Sequence, residues 1–125
     1  MKEQAEKLRS VEVDLSQEHG DFELFALFLR EDAPNKWDLI ISSDWARSDK
    51  KAALNSIVTK IQSTLNPKEL MMLSRIIILE KDDAALNAFH GAVHIEHGLS
   101  EISDSNFFGL AIKHAYLITS KREIS

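Results

Sequence analysis

Two apolar runs near the start of the chain constrain its fold more than any other feature. The first run, residues 22–30, and the second, residues 36–43, carry apolar residues at odd and even positions alike. Strands that are covered on both faces of a sheet have this pattern. The linking segment EDAPNK contains Asp, Pro and Asn, which favour turns, so the two runs predict an antiparallel hairpin. A buried helix over residues 22–30 is the alternative, because periodicity does not separate the two structures for a short run.

The strongest helix pattern covers residues 49–65, where apolar residues recur at three- and four-residue steps, as in a helix packed on a sheet. Ser48 or Asp49 is predicted to cap its first turn. Asn66, Pro67 and Glu69 have the spacing of a capping box. They predict a second, short helix directly after the first.

Two further helices are predicted, one over residues 2–18 and one that begins at residue 82 or 83. Residues 2–18 favour a helix, because good helix formers dominate the first ten positions and Gly20 would end it. A half-buried strand stays open there, because Val11, Val13 and Leu15 also alternate with polar residues. Residue 82 or 83, an aspartate in either case, begins another helix, which ends near residue 91 or runs on to about residue 97.

The rest of the chain predicts strands that complete a sheet. The β-branched segment RIIILEK, residues 75–81, predicts a buried strand parallel to residues 37–43 and joined to them by a right-handed crossover. Residues 106–120 predict one or two more strands, with Gly109 as a bulge or bend. The predicted fold is one α/β domain over residues 1–125, with mixed α+β as the variant. It has a single mixed sheet of about four or five strands and about three or four helices.

The composition of the chain limits which classes of partner and which cellular compartment are expected. Twenty acidic and 15 basic residues give a net charge of −5, the wrong sign for a protein that neutralises phosphates, so no nucleic-acid partner is predicted. The chain has no cysteine, which excludes disulfides and thiolate ligands and fits a reducing compartment. The charged N-terminus does not resemble a signal peptide, and no apolar stretch approaches the ~20 residues of a membrane span. A cytoplasmic protein without a membrane contact is expected.

The first candidate site follows the second predicted strand and comprises Ser42, Ser43, Asp44 and Arg47. Ligands of open α/β sheets collect beyond the carboxyl ends of strands. An aspartate there can act as a base or hold a metal ion, an arginine can pair with phosphate or carboxylate, and serines can donate hydrogen bonds. No glycine lies between Asn35 and Gly91, so a phosphate-wrapping loop is absent. The favoured interpretation is therefore structural, with an Asp44–Arg47 surface ion pair beside helix caps.

The second candidate is a metal site at His90, His94 and His97. If one helix continues through all three histidines, their steps of four and three residues place them on one side, where they can bind a divalent transition metal. A strand over VHIEH would instead turn His94 and His97 to opposite faces. A rim of unliganded histidines is the favoured interpretation, and no cofactor is predicted.

Two more function classes depend on motifs that the sequence either contains or lacks. A serine hydrolase is not indicated, because no G-x-S-x-G segment occurs and no catalytic residue stands out. An interface is indicated by aromatic residues at element ends, namely Trp37, Trp45, Phe107 and Phe108, although most such rings belong to the core or its rim. Exposed strand edges also need cover, and pairing between two copies in a homodimer supplies it.

The sequence therefore favours a non-catalytic protein-interaction or regulatory module that binds a protein partner or a second copy of itself. The alternative is a small-ligand binding protein or enzyme, anion-binding or metal-dependent, that uses residues 42–49. The two hypotheses differ in what they require of two side chains. The alternative requires Asp44 and Arg47 to converge on a concave pocket, whereas the favoured hypothesis lets them lie apart or pair at the surface.

Overall fold

The computed structural model describes residues 1–33, 35–107 and 110–122. Within these ranges the strands form one mixed sheet: β1 (Leu24–Leu29), β2 (Trp37–Ser42), β3 (Leu73–Ile78), β4 (Ser100–Phe107) and β5 (Leu110–Ser120). Their spatial order is β3-β2-β1-β5-β4, so β1 occupies the centre. β3 runs parallel to β2, and the other neighbours are antiparallel. The predicted mixed sheet is confirmed.

Helices cover both faces of this sheet. The described helices are α1 (Lys2–His19), α2 (Asp44–Ser48), α3 (Lys50–Thr64), α4 (Pro67–Leu70) and α5 (Ala84–Ala92). The buried residues of α1 and α3 share one core cluster with alternate residues of β1, β2 and β5. α5 packs on the opposite face, where Leu86 and Phe89 meet a second cluster. No helix in the described ranges is long and apolar enough to cross a membrane.

The central hairpin explains why the sheet buries both of its faces. β1 and β2 pair antiparallel from Leu24 opposite Ser42 to Leu29 opposite Trp37. Phe25 and Leu27 pack toward α1 and α3, whereas Leu24 and Ala26 pack toward α5. Both parities are therefore apolar because each faces a helix layer. The predicted hairpin is confirmed, and the buried helix alternative for residues 22–30 is wrong.

The helix predictions also agree with the structure. Residues 2–19 form α1, so the strand alternative there is wrong, and Gly20 ends the helix at φ 132°. Asp49 caps α3 by accepting from the Ala52 N–H at 3.1 Å. Asn66 and Glu69 make both hydrogen bonds of the predicted capping box.

Two local predictions need correction. β3 is an edge strand, not a buried one: among the described strands it pairs with β2 alone, and Ser74 and Arg75 are exposed. Residues 44–48, expected as a loop, form α2, because the Ser43 side chain accepts from the Ala46 N–H and starts a helix. The helix α5 ends at Ala92, so the predicted end near residue 91 is confirmed and the alternative extension to about residue 97 is wrong. The prediction for Gly109 lies outside the described residues.

Candidate functional site

The region after β2 is a closed network of charged and polar side chains. Arg47 folds back from α2, and its Nη2 lies 2.5 Å from Glu23 Oε1 and 2.6 Å from Asp44 Oδ1. Its Nη1 donates to Ser42 Oγ at 2.6 Å and to the Leu79 carbonyl at 3.3 Å. One guanidinium therefore ties the start of β1, the end of β2 and the end of β3 to α2.

Most of this network is buried, which favours a role in stabilising the fold over a role in ligand binding. The side chains of Arg47 and Glu23 are only 11% and 6% exposed, whereas Asp44 is 57% exposed. Burial by itself lowers the pKa of Arg47, but the bonds to Glu23 and Asp44 outweigh it and raise that pKa above its ordinary value. The cation at the strand ends is thus already neutralised by two carboxylates of the same chain. Asp44 and Arg47 pair with each other, and Ser42 and Ser43 are wholly buried.

Glu23 is the member of this network that sequence reasoning missed. It lies directly before β1 and is 5% exposed. A single acid inside the apolar segment FELFALF was the available signal, because a carboxylate is rarely buried without a cationic partner.

The three candidate histidines lie in three different environments. His90 is buried in α5, and its Nε2 lies 3.0 Å from the Glu23 carbonyl oxygen. His94 is exposed after the end of α5, and His97 contacts Glu12 of α1. Because the helix ends at Ala92, the shared helical side that a metal site required does not form. No group of three potential metal ligands comes together in the described ranges.

The candidate aromatic residues lie in or beside the core where they are described. Trp37 is 4% exposed and packs against Tyr116 and His114. Trp45 is half-buried, stacks on His19 at 4.5 Å and donates from Nε1 to the Gly20 carbonyl. The side chain of Phe107 and the whole of Phe108 lie outside the described residues. Trp37 therefore belongs to the core, whereas Trp45 lies at its rim and is partly exposed.

A second buried carboxylate, Glu12 of α1, has a different environment. It is fully buried and accepts hydrogen bonds from Ser16 Oγ at 3.1 Å and Thr119 Oγ1 at 3.0 Å. The His97 Nδ1 lies 2.6 Å from Glu12 Oε2. Sequence reasoning missed this pair. The signal for Glu12 was its place on the buried stripe of α1, one helical step from Leu8 and from Leu15.

Apolar side chains are also partly exposed along β3. Ile76, Ile77 and Ile78 are half-buried. Beside the strand, an open groove of about 490 Å³ runs between α3 and β3. Its apolar lining comes from Leu54, Val58, Ile61, Leu70, Leu73 and Ile76. Met71, at the entrance to β3, is 70% exposed.

Comparison of the chain with protein-family models, with curated proteins and with solved structures found no match.

Proposed function

We propose that this chain is a non-catalytic protein-interaction module that associates with a second copy of itself through the outer edge of β3. The observation that supports the proposal is a contrast between neighbouring regions. At the strand ends, Arg47 is satisfied by Glu23 and Asp44. At β3, a half-buried isoleucine run lies on an edge that has one strand neighbour in the described sheet.

The backbone of β3 has hydrogen-bonding groups that point away from the sheet. The Leu79 N–H donates to the Ile41 carbonyl of β2 at 2.9 Å. Successive residues of a strand direct their N–H and C=O groups to opposite sides. Those of Ile76 and Ile78 therefore face outward, where another strand can pair with them.

Apolar side chains accompany these backbone groups. Ile76 and Ile78 pack partly against the core on the α3 side, where the groove between α3 and β3 begins. Ile77 lies on the other face, since side chains alternate along a strand. A strand added to this edge would cover apolar surface on both faces of the sheet while pairing its backbone.

The distribution of charge favours a second copy as the occupant. Lys68 lies five residues before β3, the Lys36 Nζ donates to the Met71 carbonyl at 2.7 Å, and Arg75 of β3 pairs with Asp38. The segment after β3, residues 80–83, carries three acids and one lysine. An antiparallel pair of identical strands, related by a twofold axis, places the start of each strand against the end of the other. Each basic end then meets an acidic end.

The opposite edge of the sheet is less suited to such pairing. β4 carries Glu101 and Asp104, and charged side chains on an edge oppose the addition of a strand. Asp104 adopts φ 47°, and the register between β4 and β5 skips this residue. A local irregularity of this kind twists an edge away from a flat partner. The two edges of the sheet thus differ, and β3 is the open one.

The alternative, an anion-binding or metal-dependent site at residues 42–49, has less support. Its arginine already has two carboxylate partners, and its serines are buried. We assign no catalytic residue and no cofactor, and we expect neither a nucleic-acid nor a membrane partner. A cytoplasmic location is part of the proposal, because a chain without cysteine has no need of an oxidising compartment.

Sedimentation velocity over a range of concentrations tests the proposal. We expect a monomer–dimer equilibrium that Ile77→Lys weakens by at least about tenfold, because the variant places two lysines in the seam between the copies. Ser103→Lys, at an exposed position of β4, is the matched control and should leave the equilibrium unchanged. Circular dichroism checks that both variants fold.

A charge exchange tests the antiparallel arrangement. Lys68→Glu and Asp82→Lys should each weaken the dimer by up to about fivefold at low salt, as expected for rim charges. The double variant should recover most of the loss, because each copy then presents the reversed pattern at both ends. A chain that stays monomeric up to about 1 mM, equivalent to less than about 4 kcal/mol of association free energy, would contradict the proposal.

A further inference from the structure

The buried Glu12–His97 pair is not used by the proposed interface. His97 precedes β4, Glu12 lies in α1, and Thr119 lies at the end of β5, which β1 and β2 separate from β3. A fully buried carboxylate costs folding free energy unless its partners compensate for the lost water. Three donors do so here, and one of them, His97, is 37% exposed at its side chain.

The backbone of His97 is held in an unusual conformation. Its φ is 53°, in the left-handed region that residues with a side chain rarely adopt. The His97 N–H donates to Thr119 Oγ1 at 3.1 Å, and Arg9 Nε donates to the His97 carbonyl at 2.7 Å. Non-glycine residues in this conformation cluster at functional sites, where the surrounding structure holds them in place.

The hydrogen bond to Glu12 decides which nitrogen of His97 is reactive. A carboxylate that is ionised only accepts hydrogen bonds, and opposite such a carboxylate a neutral imidazole carries its proton on Nδ1 and its lone pair on Nε2. Nδ1 faces the buried carboxylate, and the His97 side chain as a whole is 37% exposed. No residue in the described ranges makes a hydrogen bond with Nε2. A ring so oriented has the arrangement of an activated nucleophile.

We propose that His97 accepts a phosphoryl group on Nε2. The Nε2 lone pair forms a bond to phosphorus while the bond from phosphorus to the leaving group of an activated donor breaks. The leaving group departs with the bonding electrons and takes up a proton from solvent. The ring becomes a phosphoimidazolium that keeps its Nδ1–H, and the Glu12 carboxylate neutralises its positive charge.

Arg9 supports a phosphoryl group over an uncharged electrophile. Its Nε is bonded to the His97 carbonyl, so the guanidinium is anchored to the residue that would carry the group. Its side chain is 46% exposed, and its Nη1 forms an exposed salt bridge with Glu6 Oε2 at 3.5 Å. Arginine is well suited to phosphoryl oxygens because its donors are planar and permanently charged.

Phosphoramidate, a small activated donor, tests the proposal on the unmodified chain. After incubation, peptide mass spectrometry should locate one phosphoryl group at His97, and phosphorus NMR should show the Nε2 isomer. His94 and His114 are internal controls: His94 is exposed and contacts no carboxylate among the described residues, and the Nε2 of His114 is bonded to the half-exposed Glu101. His97 should react at least about tenfold faster than either control.

Two variants separate the role of Glu12 from that of the fold. His97→Asn should abolish the modification. Glu12→Gln keeps an acceptor for Nδ1–H but removes the negative charge, so the Nε2 isomer should still form, at least about tenfold more slowly. If Glu12→Gln fails to fold, the comparison of the three histidines in the unmodified chain still decides. No phosphoryl group on His97, the Nδ1 isomer, or equal rates at His94 and His97 would overturn the proposal.

Discussion

The region after β2 and the edge strand β3 are neighbours in the sheet, yet they differ in what they leave available to a partner. At residues 42–47 every strong polar group is used internally: Arg47 holds Glu23, Asp44 and Ser42 together. Along β3 the backbone groups of Ile76 and Ile78 point outward, beside an apolar groove. The charged region looks more like a site in the sequence, but the apolar edge is the more open surface.

This difference shows that a cluster of charged side chains is not necessarily free to bind a ligand. A guanidinium that is 11% exposed between two carboxylates contributes to the fold and has little left to offer a ligand. An edge strand, by contrast, is incomplete by construction, because half of its backbone groups have no strand partner.

The largest loss of stability is expected from a variant that disrupts the network around Arg47. Arg47→Met leaves Glu23 buried without its cation, and we expect the free energy of unfolding to fall by about 3–5 kcal/mol. Urea denaturation followed by circular dichroism measures this change.

Asp44→Asn provides the control for that variant. Asp44 is 57% exposed and pairs with the same guanidinium, so its loss should cost about 0–1 kcal/mol. Equal losses from the two variants would mean that the pair with Glu23 contributes no more than an ordinary surface pair.

The smallest expected effect concerns Glu80, directly beyond β3. Lys50 donates to Glu80 Oε1 at 2.7 Å, which holds the pKa of Glu80 below its ordinary value. A lowered folded pKa contributes stability above the unfolded pKa of ~4.3, and this contribution disappears as the pH falls through the folded value. Glu80→Gln should therefore be slightly less stable than the unmodified chain at neutral pH and equally stable in acid.

Urea titrations at several pH values measure this difference. The same substitution in a Lys50→Met background should show no such pH dependence, because Lys50 is its main cause. A pH dependence that persists without Lys50 would show that another group sets the ionisation of Glu80.

Much of the fold could be predicted because its signals are local. The hairpin of β1 and β2, the capping box at Asn66 and the cap at Asp49 depend on residues a few positions apart. The position of β3 at the edge of the sheet could not be predicted from local signals. A β-branched run favours a strand whether it has one neighbour or two, so the pattern did not distinguish an edge from a centre. β4 was harder still, because SEISDSN is largely polar.

The site residues were predictable only in part, for the same reason. Asp44 and Arg47 lie three positions apart, and the predicted ion pair between them is present, but the Arg47 side chain is mostly buried and also pairs with Glu23, which the prediction of a surface pair did not include. Glu12 and His97 are 85 positions apart, and only the topology brings α1 to the segment before β4. An acid on an apolar helical stripe indicated that a partner must exist, but it could not identify the partner.

Amide hydrogen exchange at low and high protein concentration tests the central claim most directly. If two copies pair through β3, the amides of Ile76 and Ile78 should exchange more slowly as the concentration rises. The amides of Asp44–Arg47 and of β4 should keep their rates. Protection that appears at residues 44–47 instead, or exchange at β3 that is independent of concentration, would contradict the account.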